Sequence, residues 1–382
     1  MKYFKDMLIT KRRIPSCWSP ILFISFFLYF TVSNTTFNSM AQTFSDSGNC
    51  RGMKEEIRLV SSANSFAYEG RYSRKDPKPT KSRKGGVSVN GALKVIKTQL
   101  SNAKGEPVVL KGMSSHGIQW YDQFTTPEAI KALADRGATL FRVAMYTEEN
   151  GYIKNPETVM EKVITAIDAA IAEDLYVIVD WHILSDGNPM THLESSKAFF
   201  EKIVSKYANH PAVIYEICNE PNGNISWMGH VKPYAETVIP VIRAISPESV
   251  ILVGSPTWSQ DIDKAASNPL AFENIMYTCH FYSGTHTQWL RDRIAAVIDM
   301  GYPVFVSEWG TSDASGNGGP FPEETMRWLA FLDERNISWA NWSYADKNEA
   351  SAALLSGTNL SDGIQDNELS PSGRLVFKAF EK

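Results

Sequence analysis

The sequence predicts a closed (β/α)8 barrel, and three observations carry that prediction. Short apolar runs, each the length of a buried strand, alternate with helical patterns from about Val108 to the carboxyl terminus. The runs are apolar on both faces, as parallel strands are when helices cover one side and a core fills the other. Charged, imidazole and indole groups gather at the carboxyl ends of the runs, where barrel enzymes keep their reacting groups. A doubly wound open sheet is the alternative, although no glycine-rich dinucleotide loop follows any run.

Composition sets broad limits. The chain has 382 residues, enough for one large domain or two ordinary ones. Its net charge of −4 and pI near 6.0 give no reason to expect a nucleic-acid partner. Four cysteines, one of them in the amino-terminal leader, do not make a disulfide framework. Cys218 and Cys279 lie in apolar runs and read as buried free thiols, while Cys50 has no evident mate.

Residues 1–41 read as a targeting segment. Lys2, Lys5, Lys11, Arg12 and Arg13 form a basic flank before the apolar run Ile21–Val32, which is too short to span a bilayer comfortably. Ser39-Met40-Ala41 then offers the small residues a signal peptidase reads. The expectation is a secreted, extracellular protein without stable membrane insertion once the signal is removed. A periplasmic or amino-terminally anchored protein is the alternative. Residues 42–86 are polar, and Ser73–Gly86 mixes charge with Pro and Gly. Such a segment buries too little apolar surface to offset its ordering entropy, so it reads as a linker or disordered arm.

The barrel domain is expected over residues 87–382. Leu93–Val95 and Val108–Leu110 flank the turn Ser101–Gly105 and read as a hairpin feeding the first long strand. Strands are then expected at Val108–Met113, Thr139–Met145, Tyr176–Trp181, Val213–Cys218, Val250–Val253, Ile275–Phe281, Val304–Ser307 and Ser338–Trp342. Between them, Asn155-Pro156-Glu157 opens a helix with a capping residue, a first-turn proline and an acid. Val159, Val163, Ile167, Ala170 and Ile171 make its buried stripe. Helical patterns also cover Thr126–Gly137, Ser196–Asn209, Val231–Ile245, Thr287–Asp299 and Pro322–Asn336.

The strand ends carry the chemistry. In order they present His116 and Trp120; Arg142 and Tyr146; Asp180, Trp181 and His182; Asn219 and Glu220; Trp258; His280 and Tyr282; Glu308 and Trp309; and Trp342. Two of these ends share a design. AVIYEICNEP (Ala212–Pro221) and PVFVSEWG (Pro303–Gly310) each climb through apolar residues to a glutamate, Glu220 and Glu308. Two carboxylates amid aromatics, without nucleotide or metal motifs, point to glycoside hydrolysis. That reaction needs a proton for the leaving oxygen and a negative charge near the anomeric carbon. One acid must be protonated and the other ionised, and Arg142 near Glu308 would keep the latter charged. No histidine pair stands at i, i+4 with a glutamate, so neither a metal nor another cofactor is expected.

NEP at Asn219–Pro221, SEWG at Ser307–Gly310, FRVAMY at Phe141–Tyr146, HFYSG at His280–Gly284 and LKGMSSHGIQW at Leu110–Trp120 occur in that company. The set resembles glycoside hydrolase family 5, in its bacterial-type endo-β-1,4-glucanases, over about Val87 to the carboxyl terminus. The resemblance implies that Glu220 is the acid/base and Glu308 the nucleophile of a double displacement. It implies that Asn219 binds the sugar 2-hydroxyl, that His280 and Tyr282 orient the pair, and that Tyr282 bonds Glu308. His116, Tyr146 and His182 would line the subsite of the reacting sugar, on which Trp342 would stack, with a non-proline cis peptide after Trp342. WSYADKNEASAAL (Trp342–Leu354) resembles a family segment in which Lys347 and Glu349 would bond a neighbouring glucose. Trp120 and Trp258 would stack on outer sugars at opposite ends of a cleft.

Other assignments compete for some of these residues. Arg142 and Glu216 can form an internal ion pair, and a structural role suits Glu216 better than a catalytic one. His182 can cap a strand end, and Trp181 and Trp309 read as packing. Asp180 is the nearest rival to either glutamate, followed by Asp346, but neither stands in a motif with matching company. The expected protein is a monomeric, retaining endo-β-1,4-glucanase acting on a β-glucan polysaccharide or oligosaccharide. A β-mannanase or xyloglucanase on the same barrel is one alternative, and a catalytically dead carbohydrate-binding barrel is another.

Overall fold

The computed structural model describes residues 78–381. The expected leader, Cys50 and most of the expected polar arm therefore lie outside the described residues. Eight parallel strands close into one barrel: β3 (Lys111–Ser115), β4 (Leu140–Tyr146), β5 (Tyr176–His182), β6 (Val213–Glu216), β7 (Ile251–Val253), β8 (Ile275–Tyr282), β9 (Val304–Gly310) and β10 (Trp339–Tyr344). β10 pairs with both β9 and β3, so no sheet edge is left open. All eight expected barrel strands are present, with ends displaced by a few residues.

The expected hairpin is formed by different residues. β1 (Lys94–Ile96) pairs antiparallel with β2 (Gln99–Ser101), turning at Lys97 with φ +55°. The Ser101–Gly105 segment is a second turn, which brings Pro107 back to bridge Ser101. Turn chemistry at Asn102 and Gly105 was the stronger signal in the sequence, and it belongs to this second reversal.

Thr80–Gly86, which composition assigns to the polar arm, packs on the barrel instead. Asp174, fully buried, accepts from the backbone N–H of Arg83 (2.8 Å) and Ser88 (2.7 Å) and from the Ser88 hydroxyl (2.6 Å). A carboxylate satisfied by backbone donors offsets ordering entropy that apolar burial alone would not. Composition does not reveal such a partner ninety residues away.

Helices surround the barrel at Pro127–Asp135, Pro156–Ala172, Leu193–Lys206, Lys232–Arg243, Gln288–Asp299, Pro322–Glu334 and Pro371–Phe380. Thr126 caps the first of them, accepting from Ala129 N–H. Asn155, expected to cap the Pro156–Ala172 helix, does not: its amide donates to the Asn150 carbonyl at 2.8 Å. Among the described residues no helix is long and apolar enough to cross a membrane. Cys218 and Cys279 are buried free thiols.

Strand alternation positions the site. On β5, Trp181 faces outward against Phe199 and Phe200, which leaves its neighbours Asp180 and His182 to face the barrel axis. On β8, Phe281 stacks outward on Trp328 at 3.7 Å between ring centroids, leaving His280 and Tyr282 inward. Register then aligns the inward groups: Asp180 opposite Glu216, and His280 opposite Glu308. Gly112 on β3 permits the close approach of β4, since a Cβ there would lie 1.9 Å from the Leu140 carbonyl oxygen.

Candidate active site

Arg142 is the hub of the inward-facing groups. It is fully buried, and its guanidinium makes four hydrogen bonds and a further ion pair. Nε donates to Glu216 Oε2 at 2.7 Å. Nη1 donates to Ser114 Oγ at 3.2 Å and to Glu308 Oε2 at 3.0 Å. Nη2 donates to Asn219 Oδ1 at 2.7 Å and forms an ion pair with Asp180 Oδ2 at 2.9 Å. Such a guanidinium cannot move without breaking several bonds at once, so it fixes every carboxylate it touches.

The Asn219 amide is oriented by its neighbours. With its oxygen on Arg142, its nitrogen donates to Ile183 O at 3.0 Å and faces His182 Nε2 at 3.3 Å. His182 Nε2 therefore accepts, and Nδ1–H donates to Asp180 Oδ2 at 2.6 Å. Burial holds the neutral imidazole of His182, whose pKa falls to about 3. Asp180 thus engages Arg142 and His182 through Oδ2 alone, and it is fully buried, away from the open cleft. Asp346, the other rival acid, accepts from Gly357 N–H at 2.9 Å.

Glu220 and Glu308 meet across the barrel mouth. One oxygen of each, with one ring nitrogen of His280, lies within 4.8 Å of the others. Both retain slight solvent exposure, 8% and 4%, where Arg142, Asp180 and Glu216 have none. Their surroundings push them apart electrostatically. Burial and the nearby Glu308 charge raise the Glu220 pKa, against the His280 bond at 3.0 Å to Oε1. Burial also opposes ionisation of Glu308, but His280, Arg142 and the Tyr282 hydroxyl, 2.8 Å from Oε1, outweigh it and hold its pKa low. The surroundings thus favour the protonated form of Glu220 and the ionised form of Glu308.

The Glu220, His280 and Glu308 group is also the one acid–imidazole cluster among the described residues with atoms close enough to share a cation. Its groups are already engaged by Arg142, Tyr282 and Ser307, an arrangement suited to an acid pair.

Aromatic rings wall one side of the acids. Tyr146 stacks on His182 at 4.2 Å, and Trp342 stacks on His182 at 5.4 Å and tilts against His116 at 4.9 Å. With Ala144, Tyr146 and Trp342 form an apolar patch separate from the main core. The peptide bond from Trp342 to Ser343 is cis, as the resemblance implies. Lys347 Nζ lies 2.6 Å from Glu349 Oε2 and 3.2 Å from His116 Nε2. Glu349 also accepts from Ser351 at 2.7 Å, so both its oxygens are engaged, and Lys347 is the more exposed of the pair.

Trp120 and Trp258 are 45% and 46% exposed, unlike the other strand-end tryptophans. They follow β3 and β7, which stand four places apart in the eight-strand ring and so face each other across the barrel mouth. Trp120 leans edge-on against Tyr146 at 5.2 Å. Trp258 sits in a left-handed turn, with φ of 59°, 52° and 56° at Thr257, Trp258 and Ser259. Non-glycine residues resist that conformation. Here it is held by Trp258 N–H on Pro221 O and by Ser259 Oγ on Asn219 O, at 3.1 and 2.6 Å. Trp181 and Trp309 are fully buried packing residues.

The residues expected at the site are all brought to this one end of the barrel. Sequence reasoning overlooked Ser114 and Ser307, each inside a quoted motif, and Ser259, which follows Trp258. A serine hydroxyl carries no periodic or charge signal, and its partners lie on other strands.

A family model described as cellulase, glycosyl hydrolase family 5, matches residues 101–348. An endoglucanase of Clostridium saccharobutylicum is 53% identical over 294 residues, covering 77% of this chain and 66% of that protein. Endoglucanase A of Evansella cellulosilytica is 54% identical over 274 residues, 71% of this chain and 56% of that protein. The chain therefore spans about two thirds or less of the length of these relatives. The solved catalytic domain of Thermobifida fusca endoglucanase Cel5A is 39% identical with a TM-score of 0.74, over 78% of this chain and 99% of that domain. A variant of that enzyme has been solved in complex with cellotetraose. Fold, acid pair and these similarities agree: the chain belongs to glycoside hydrolase family 5.

Proposed function

We propose that this chain is a retaining endo-β-1,4-glucanase that cleaves internal bonds of cellulose-like glucans by double displacement. The observation that carries this reading is the gap between Glu220 and Glu308, within 4.8 Å between oxygens. Retaining enzymes hold their carboxyls ~5 Å apart, whereas inverting enzymes separate them by ~6.5–9.5 Å to admit water. In the first step Glu220 gives its proton to the glycosidic oxygen while Glu308 attacks the anomeric carbon. The sugar–oxygen bond breaks, and a glycosyl ester forms on Glu308. In the second step water attacks that carbon, Glu220 takes the water proton, and Glu308 leaves as a carboxylate. Arg142 and Tyr282, one on each oxygen of Glu308, stabilise its charge before attack and after release.

The substrate direction follows from the wall of rings. His116, Tyr146, His182 and Trp342 form the side that holds the reacting sugar, with Lys347 beyond them to bond its neighbour. Trp120 and Trp258 face each other across the mouth, which suits a long chain lying over the barrel and cut in its interior. The relatives' names and the cellotetraose complex of the Thermobifida enzyme support β-1,4-glucan over mannan or xyloglucan. The basic and apolar composition of residues 1–41 supports action outside the cytoplasm.

A 2-deoxy-2-fluoro cellobioside with an activated leaving group tests the assignment. It should inactivate the enzyme and add one glycosyl mass to the peptide containing Glu308. Label on Asp180, Glu220 or no residue at all would refute the nucleophile.

A further inference from the structure

The two acids are joined by a second route besides the gap between them. Arg142 bonds Glu308 through Nη1 and Glu216 through Nε. Ser307 Oγ lies 2.7 Å from the other Glu216 oxygen, Oε1, and 2.9 Å from His280 Nε2. His280 Nδ1 closes the chain on Glu220 at 3.0 Å. Arg142, Glu216, Ser307 and His280 are all buried, which limits competition from water.

The directions of these bonds are constrained. Arg142 can only donate, so Glu216 Oε2 accepts. Glu216, an ionised acid with its pKa held at about 2 despite burial by Arg142 and His280, can only accept the Ser307 proton as well. The Ser307 oxygen, its proton spent, accepts from His280 Nε2–H. His280 Nδ1 is then left with two options. It can accept the Glu220 proton as a neutral ring, or donate to Glu220 as an imidazolium.

Glu216 decides between them, because its oxygen lies 3.6 Å from His280 Nε2 and its charge favours the imidazolium. We infer that Glu216, acting through Ser307, is a positioning residue that keeps His280 doubly protonated, so that Glu220 meets a cation whenever it gives up its proton. The inference rests on the acid/base role of Glu220 proposed above. During the first step the new Glu220 carboxylate is stabilised by that cation. In the second step the same cation keeps Glu220 ionised and ready to take the water proton.

The groups around His280 agree in sign. From β6, Glu216 and Glu220 favour its charge, as does Glu308 from β9. Asp180 on β5, whose pKa burial raises, is not needed for that charge, and Arg142 on β4 and the neutral His182 and His286 do not add to it. The neighbouring strand β7, Ile251–Val253, offers no titratable group. Burial opposes the charge, yet these bonds raise the His280 pKa to about 9.

The test is a ring-nitrogen NMR titration of His280 in the intact protein, compared with Glu216→Gln and Ser307→Ala. In the parent, both ring nitrogens should stay protonated through neutral pH. In Glu216→Gln the midpoint should fall by about 1–3 pH units. In the same variant, kcat on an activated aryl cellobioside, limited by breakdown of the glycosyl-enzyme, should lose activity from its acidic side upward. kcat/KM, which reports formation of that intermediate, should change less. Ser307→Ala cuts the bridge but leaves the charge, so a smaller fall is expected, and it serves if the glutamine variant does not fold. An unchanged His280 midpoint in a folded variant overturns the inference while leaving the glucanase reading intact. A parent that hydrolyses no glucan, with His280 responding as described, overturns the glucanase reading instead.

Discussion

The Tyr282 hydroxyl donates to Glu308 Oε1 at 2.8 Å, the oxygen opposite the one that Arg142 holds. The carboxylate is thereby clamped from two sides, with its charge stabilised and its plane fixed. Hydrogen bonds to ionised groups are worth about 1.5–3 kcal/mol, so Tyr282→Phe should lower kcat about 10- to 100-fold. The sign of the pH effect is also set. Tyr282 helps hold Glu308 below the usual carboxylate range, so its loss lets the Glu308 pKa rise. The acidic limb of kcat/KM should then move to higher pH. Parental kcat with an unmoved limb would reduce Tyr282 to packing.

Burial and the Glu308 charge raise the Glu220 pKa and so favour its protonated form. General acid catalysis contributes about 10²–10⁴-fold, and Glu220→Gln should lose that much activity on glucan. An aryl cellobioside whose phenol leaves without protonation should form the glycosyl-enzyme with a much smaller loss, seen as a burst of phenol. Equal losses on both substrates would place proton donation elsewhere.

Trp120 and Trp258 lie on opposite sides of the barrel mouth, so their removal should bias cleavage in opposite senses. With end-labelled cellopentaose, Trp120→Ala and Trp258→Ala should move the principal cut toward opposite ends of the substrate. Each should raise KM by about 2- to 10-fold, the worth of one ring contact. A shift in the same direction for both would contradict their placement along one bound chain.

Gly112 is a test of the scaffold. Its missing Cβ would lie 1.9 Å from the Leu140 carbonyl oxygen, within the β3–β4 pairing that also sets Arg142 beside Ser114. Backbone cannot yield as a flexible side chain can, so Gly112→Ala should cost at least the ~1–3 kcal/mol of ordinary overpacking. Urea unfolding should show a lower midpoint. An unchanged midpoint would mean that the strands separate more readily than this geometry implies.

The sequence made the barrel legible because a buried parallel strand is both apolar and short, and a helix follows each one. The paired glutamates were legible for the same reason: Glu220 and Glu308 interrupt apolar runs where an acid has no packing role. What stayed hidden depends on contacts between distant segments. Asp174 holds Thr80–Gly86 and Ser88 against the barrel, and nothing local to either segment announces it. Ser307 lies inside a motif whose legible feature is its glutamate, and its link to Glu216 and His280 requires the β8–β9 register. Asn155 shows the reverse error, for a residue well suited to capping spends its amide on Asn150 instead.

The stereochemistry of the first product tests the close approach of the two acids most directly. Proton NMR of cellopentaose hydrolysis, recorded within seconds of adding enzyme, reports the anomer before mutarotation. Two displacements at one carbon predict the β-anomer first, with the α-anomer appearing later by mutarotation. An α-anomer at the outset would mean a single displacement by water, and attack by Glu308 would be ruled out.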